Sequence, residues 1–263
     1  VNSVFLIVGI NRSAKPPDKH HPFGYGKAIY FWSLITAIFM LGFVSMGSIT
    51  RGYRQITEHR ALENFQIAIA VLLVSFFLES VAVYFAARGV LSSVKDVKFV
   101  SARHLFVGLR QANDPAIKLV FIEDLCSFIG VGIALCAVSL AGYTGNLAID
   151  GYGAIAIGAM LGILAIFLAN ENREKLLGVS ADPIIEKKIH RLVKLDPKIG
   201  DVIGLKTMRM GTDKVLVYMT VELEPKMRIE EADDVTAGVE KRIKKEIPEV
   251  VDCFIEVIAD EDV

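Results

Sequence analysis

Two acidic residues stand side by side inside an apolar run. Glu123 and Asp124 fall within KLVFIEDLCSFIGVGIALCAVSL, Lys118–Leu140, a stretch long enough to cross a bilayer. A charged side chain at the centre of the hydrocarbon costs about 2.5–3.5 kcal/mol or more, so such residues face a bundle interior or a water-filled path and hold something positive. The pair is read as the working end of a cation pathway. Adjacent helical residues point about 100° apart and cannot form a site alone. Partners must come from neighbouring helices, and Glu79, inside another apolar run, and Asn2, near the start of the chain, are candidates. Carboxylates joined by an amide oxygen suit a divalent cation, and oxygen donors favour harder ions such as Mn²⁺ or Mg²⁺. The competing reading pairs one acid with a membrane-end base such as Lys118.

A second constellation is Asp18, His20 and His21. Carboxylate and imidazole at this spacing can bind Zn²⁺, although so few ligands on a loop make a weak site, and a solvated turn is the competing reading. His59, His104 and His190 have no ligand types near them in sequence. Cys126, Cys136 and Cys253 form no disulfide framework or paired-cysteine metal motif, and they are read as packing residues.

These residues need elements to position them, and the composition says which kind. Hydrophobic residues make up 53% of the 263 positions, more than one soluble core requires. Runs at 31–49, 65–87, 116–140 and 151–169 are each read as membrane spans by length. Val1–Ile10 reaches only about 15 Å as a helix against a hydrocarbon core of about 30 Å, and is read as a partial span whose first residues precede Val1. It lacks the charged start and cleavage site of a signal peptide. Polar links at 11–30, 50–64, 88–115 and 141–150 join the spans. Loops 11–30 and 88–115 carry four and five basic residues, against three in 50–64 and none in 141–150. The basic side is cytoplasmic, which puts the tail in the cytoplasm. Gly158 and Gly162 form a small-xxx-small face for close helix approach, and Gly130 and Gly132 are candidates for the same use.

Charge also divides the chain. Residues 1–169 hold 13 Lys and Arg against 9 Asp and Glu, whereas 170–263 hold 16 against 21. The tail also changes period. Asp182–Leu195 opens with Asp-Pro and reads as a helix; Val202–Met210 and Lys214–Glu224 alternate as strands about Gly211-Thr212-Asp213. Ile229–Ile247 is a second amphipathic helix and Val250–Ile258 a third strand. The order αββαβ predicts helices packed on one face of a three-stranded sheet. The expected domains are therefore a membrane region, 1–169, and a cytoplasmic C-terminal domain, 170–263.

The loop HPFGYGK (His21–Lys27) between two spans, the acid-bearing span introduced by NDPA, and TGNLAIDGYGAIAIG leading into the last span resemble the cation diffusion facilitator transporters. The αββαβ tail resembles that family's cytoplasmic metallochaperone-like, ferredoxin-like domain. The resemblance covers essentially the whole chain. HPFGYGK and the Glu-Asp pair are similar to the branch related to the mitochondrial zinc transporter. It implies a six-span homodimer that exchanges divalent metal for protons, and this chain would hold the end of span two and spans three to six.

The family's intramembrane site pairs span two with span five. By that resemblance Asn2 follows a span-two His/Asp-xxx-Asp pattern that precedes Val1. Asp124 matches the last position of the span-five His/Asp-xxx-Asp pattern, whereas Val120 stands where the first ligand belongs. Valine cannot bind metal, so Glu123 or Glu79 becomes a replacement ligand, and the imidazole associated with zinc preference is missing. In the loop, Asp18 and His21 match two ligands of a second site, while Tyr25 occupies the place of a further His, which weakens that site. The implied activity is transport, not catalysis: zinc or manganese as cargo, protons as counter-ion, no bound cofactor, and the lipid bilayer and a second copy as partners, with no nucleic acid. In a prokaryote the membrane would be the inner or plasma membrane. The alternatives are a metal-responsive membrane scaffold or regulatory protein without transport, and a passive cation channel.

Overall fold

A computed structural model of the chain describes residues 2–58, 65–91, 115–224 and 227–258. It divides into two compact units, one of residues 37–167 and one of 1–36 with 168–263.

Among the described residues, four helices are long and apolar enough to cross a membrane: Ala28–Glu58, Phe65–Leu91, Val120–Thr144 and Ala148–Leu177. The first is continuous but not uniform. It comprises α2 (Ala28–Phe39), a π-helical turn (Met40–Ser45) and α3 (Met46–Glu58). The link expected at 50–64 is thus helical as far as Glu58, because the backbone ladder continues through Arg51, Arg54 and Gln55, and no proline interrupts it. α4 is Phe65–Leu91, α5 Pro115–Thr144 and α6 Ala148–Leu177. Gly145, at φ +70°, takes the left-handed conformation that ends α5. The Asn146 side chain then accepts from the Ala148 amide at 3.1 Å and caps α6. The link expected at 141–150 therefore shrinks to three residues between α5 and α6. The last span runs past Ala169 to Leu177, where Gly178 at φ +117° ends it.

Small residues set the packing of residues 37–167. A Cβ on Gly158 would meet Ile49 and the Ser45 carbonyl at 2.8 Å, and one on Gly162 would meet Ser45 Oγ at 2.8 Å. Both expected glycines thus lie against the π-turn and α3. Ser45, 3% exposed, donates its hydroxyl to the Gly158 carbonyl at 2.7 Å. Gly52 and Gly151 approach each other's backbones on the same seam. α5 meets α6 through Gly130 against Met160 and Gly153 against Ala137, and meets α4 through Gly132, 3.7 Å from Phe76 for an added Cβ. Phe76 and Phe128 pack with ring centres 4.8 Å apart, and Ala87, Val90 and Phe121 form a buried cluster nearby.

In the other unit, α1 (Asn2–Ser13) ends before Pro16-Pro17 and stacks Phe5 on Trp32. The C-terminal domain follows α6: α7 (Pro183–Val193), β1 (Ile199–Gly211), β2 (Lys214–Leu223), α8 (Ile229–Glu246) and β3 (Val250–Ile258). Asp182 caps α7 by accepting from the Ile184 amide at 2.9 Å, with Pro183 in the first turn. The sheet order is β1-β2-β3, β1 antiparallel and β3 parallel to β2. Val215, Val217, Met219 and Val221 alternate inward and are fully buried. They meet Ile189, Leu192 and Val193 from α7 and Val235, Val239 and Ile243 from α8. Each such side chain contributes roughly 1.5–3 kcal/mol by leaving water. The αββαβ expectation holds: β1 extends beyond the expected Val202–Met210 at both ends, β2 stops one residue before Glu224, and β3 has the expected bounds.

Candidate metal centre

Glu123 and Asp124 lie on α5 between its two packing seams. Phe121, Leu125, Phe128 and Gly132 mark the seam toward α4. Asp124, three residues after Phe121 and four before Phe128, flanks that seam. Glu123 lies seven residues before Gly130 and shares the stripe that packs on α6. Both acids are half-buried, and they diverge as adjacent helical positions must. Val120, one turn before Asp124, is 52% exposed and offers no donor atom.

Glu79 is half-buried on α4, three residues after Phe76 and four before Val83, both of which pack on α5. The two helices are antiparallel: Phe76 meets Phe128, and the later Val83, Ala87 and Val90 cluster with the earlier Phe121 and Leu125. Right-handed helices facing each other in this sense put Glu79 and Asp124 on the same flank of the seam. Asn2 opens α1, and its side chain lies outside the described residues, as does that of Lys118. Among the described residues, no three His, Cys, Asp or Glu side chains gather closely enough to hold a metal ion.

The loop pair is built differently. The Asp18 carboxylate accepts from the His20 amide at 2.9 Å, the His21 amide at 2.8 Å and the Tyr25 hydroxyl at 2.7 Å. His21 Nδ1 stands 3.6 Å from Asp18 Oδ1, and its ring lies 4.1 Å from that of Tyr25. These donors hold the Asp18 carboxyl below the usual carboxylate range, the Tyr25 hydroxyl contributing most, and the same bond raises the Tyr25 phenol. Asp18 closes a turn with Oδ1, and the tyrosine hydroxyl donates to Oδ2. Asp18 and His21 are therefore adjacent, as their spacing required, while His20 contributes its backbone amide.

Two residues were not singled out by sequence reasoning. Lys27, the last of HPFGYGK, donates to the Leu176 carbonyl at 3.3 Å and lies 3.4 Å from Met208 Sδ, joining the end of α6 to β1. Beside it Gly26 lies so close to the Met210 carbonyl that any Cβ would collide. The glycines flanking Tyr25 were the available signal. Ser45 is the other, a lone hydroxyl whose burial depends on the π-turn. Of the cysteines, Cys253 is buried, Cys126 half-buried and Cys136 exposed. Packing in a core therefore does not describe Cys136: an outward position on a span selects for low polarity, which a thiol satisfies without burial.

Apolar spanning helices with acids inside them, followed by a small α+β domain, define a multi-pass membrane protein with an appended domain. Residues 1–177 match the cation efflux transmembrane domain, and residues 181–257 match the cytoplasmic domain of cation efflux proteins. The chain belongs to the cation efflux family. Metal tolerance protein C4 of Arabidopsis thaliana is 28% identical over 210 residues, 80% of this chain and 45% of its own length. The mitochondrial proton-coupled zinc antiporter SLC30A9 of Homo sapiens is 27% identical over 225 residues, 85% of this chain and 39% of its own. The manganese efflux system protein MneP of Bacillus subtilis is 21% identical over 257 residues, 98% of this chain and 81% of its own. The chain thus spans less than half the length of the first two. A copper form of a MamM CTD variant aligns with 29% of this chain and 94% of its own at 17% identity and a TM-score of 0.28.

Proposed function

We propose that the protein exports a divalent metal cation, zinc or manganese, in exchange for protons. The observation that carries this reading is the half-buried Glu123–Asp124 pair inside a span of a cation efflux transmembrane domain. Asp124 is the principal ligand. Glu123 or Glu79 supplies the oxygen that Val120 does not, and Asn2 in α1 is a further candidate. Burial disfavours a bare carboxylate and a bound cation restores it, so the same acids hold either metal or protons. A bundle opening alternately to each side would release metal outward and return protons inward.

Residues 1–169 form the transporting region. Residues 170–263 form the cytoplasmic domain and provide dimerisation. Asp18 and His21 contribute a weak second metal position at most, because Tyr25 competes for the carboxylate. The relatives named for zinc antiport and manganese efflux support the cargo class.

The test is flux in vesicles containing the full-length protein under an imposed proton gradient. Asp124→Ala is expected to abolish metal-dependent flux, and undiminished flux would remove Asp124 from the pathway. A scaffold, the reading favoured by the missing donor at Val120, shows no flux even in the folded wild type. Flux that ignores the proton gradient indicates a channel.

A further inference from the structure

One face of the π-turn and α3 carries an open groove of about 550 Å³. Its inner part is apolar. Phe43 and Met46 line it and are 69% and 59% exposed. Gly42 and Gly47 leave it unfilled, since a Cβ on either would meet nothing within 4 Å. Its outer part is cationic: Arg51 and Arg54 line it beside Thr50, one turn apart on the same face. Among the described residues neither arginine pairs with a carboxylate.

The position in the span decides what fits. Gly52 lies against Gly151 near the start of α6, whereas the other end of α6 leads into the cytoplasmic domain. The arginines therefore stand at the membrane boundary away from the cytoplasm. Phe43 lies about 12 Å deeper along the same helix, at 1.5 Å per residue.

We propose that this groove binds an anionic phospholipid of the non-cytoplasmic leaflet. Arg51 and Arg54 hold its phosphodiester, which matches the guanidinium fork, and an acyl chain follows the furrow at Gly42 and Gly47 past Phe43 and Met46. A second copy of the chain fits less well: two such faces meeting across a two-fold axis bring four unpaired guanidinium groups together, whereas a lipid phosphate neutralises them.

Native mass spectrometry of the protein from nanodiscs of mixed phosphatidylglycerol and phosphatidylcholine tests this. The wild type is expected to retain the anionic lipid about 30-fold over the zwitterionic one, roughly fivefold per arginine. Arg51→Gln with Arg54→Gln removes the preference, while Arg51→Lys with Arg54→Lys keeps part of it. On the unmodified protein, a photoactivatable phosphatidylglycerol labels the peptide containing residues 42–55.

Four results would overturn the site. The first is equal retention of both lipids by the wild type. The second is labelling confined to other peptides. The third is competition by soluble glycerol 3-phosphate as effective as by the intact lipid, which points to a free phosphate ester. A double glutamine variant that alters the monomer–dimer distribution in lipid-free detergent but leaves lipid retention unchanged makes the groove an interface between copies, and also overturns it.

Discussion

Three donors converge on the Asp18 carboxylate, and the consequence is a pH dependence. Its folded pKa is depressed below the ordinary 3.8, so the loop gains stability that is fully present above that value. This stability is lost as pH falls through the lowered one. Tyr25→Phe removes the largest contribution. The Asp18 carboxyl-carbon NMR titration is expected to shift upward toward 3.8, and the loop to open at correspondingly higher pH. Cys253 behaves oppositely. Burial pushes its thiol up to about 12, leaving almost no thiolate near neutrality. In a variant with Cys126 and Cys136 replaced by serine, a maleimide at pH 8 is expected to label Cys253 only after denaturation. Rapid labelling of the native protein would contradict its burial. The spacing of Asp18 and His21 was legible in sequence. That a tyrosine hydroxyl completes the turn was not, because the bond depends on a chain reversal through Gly24 at φ +80°.

At the scale of elements, α6 is held by what its glycines lack. Gly158→Leu forces side-chain atoms into Ile49 and the Ser45 carbonyl, already 2.8 Å from a bare Cβ. Overpacking of this kind costs about 1–3 kcal/mol. Thermal unfolding in detergent is expected to show a lower transition for Gly158→Leu and a much smaller change for Gly42→Leu, whose Cβ meets nothing. Ser45→Ala removes one interhelical hydrogen bond, worth about 0.6 kcal/mol in membrane helices, and should fall between them. The small-xxx-small pattern identified the face, since residues four apart share one side of any helix. It could not identify the partner. The π-turn at Met40–Ser45 had no periodic signature either, because its extra residue is set by packing rather than by local composition.

For the whole molecule, the C-terminal domain is the part whose stability is easiest to probe apart from the membrane helices. Ile243 is fully buried between α8 and the sheet. Ile243→Ala is expected to destabilise that domain by about 2–5 kcal/mol, read as earlier protease cleavage within 181–257 with the spans still protected. Equal loss of protection in both regions would mean that the two unfold together. Strand alternation made this core readable residue by residue, since a period of two leaves one face for the helices. The spans were readable only as spans. Hydrophobicity all round a helix marks the bilayer but not the neighbour, so the seams around Phe121 and Gly130 emerged only from packing.

The sequence by itself determined that apolar helices carry acids through a membrane and that an αββαβ domain follows, because hydropathy, period and turn chemistry are local properties. Tertiary structure decided which way each acid points. Asp124 flanks the α4 seam with Glu79 on the same side, and Glu123 turns toward α6. Tertiary structure likewise decided that the cationic end of α3 opens onto an apolar groove. Those outcomes depend on helix register and close approach, which no single segment encodes.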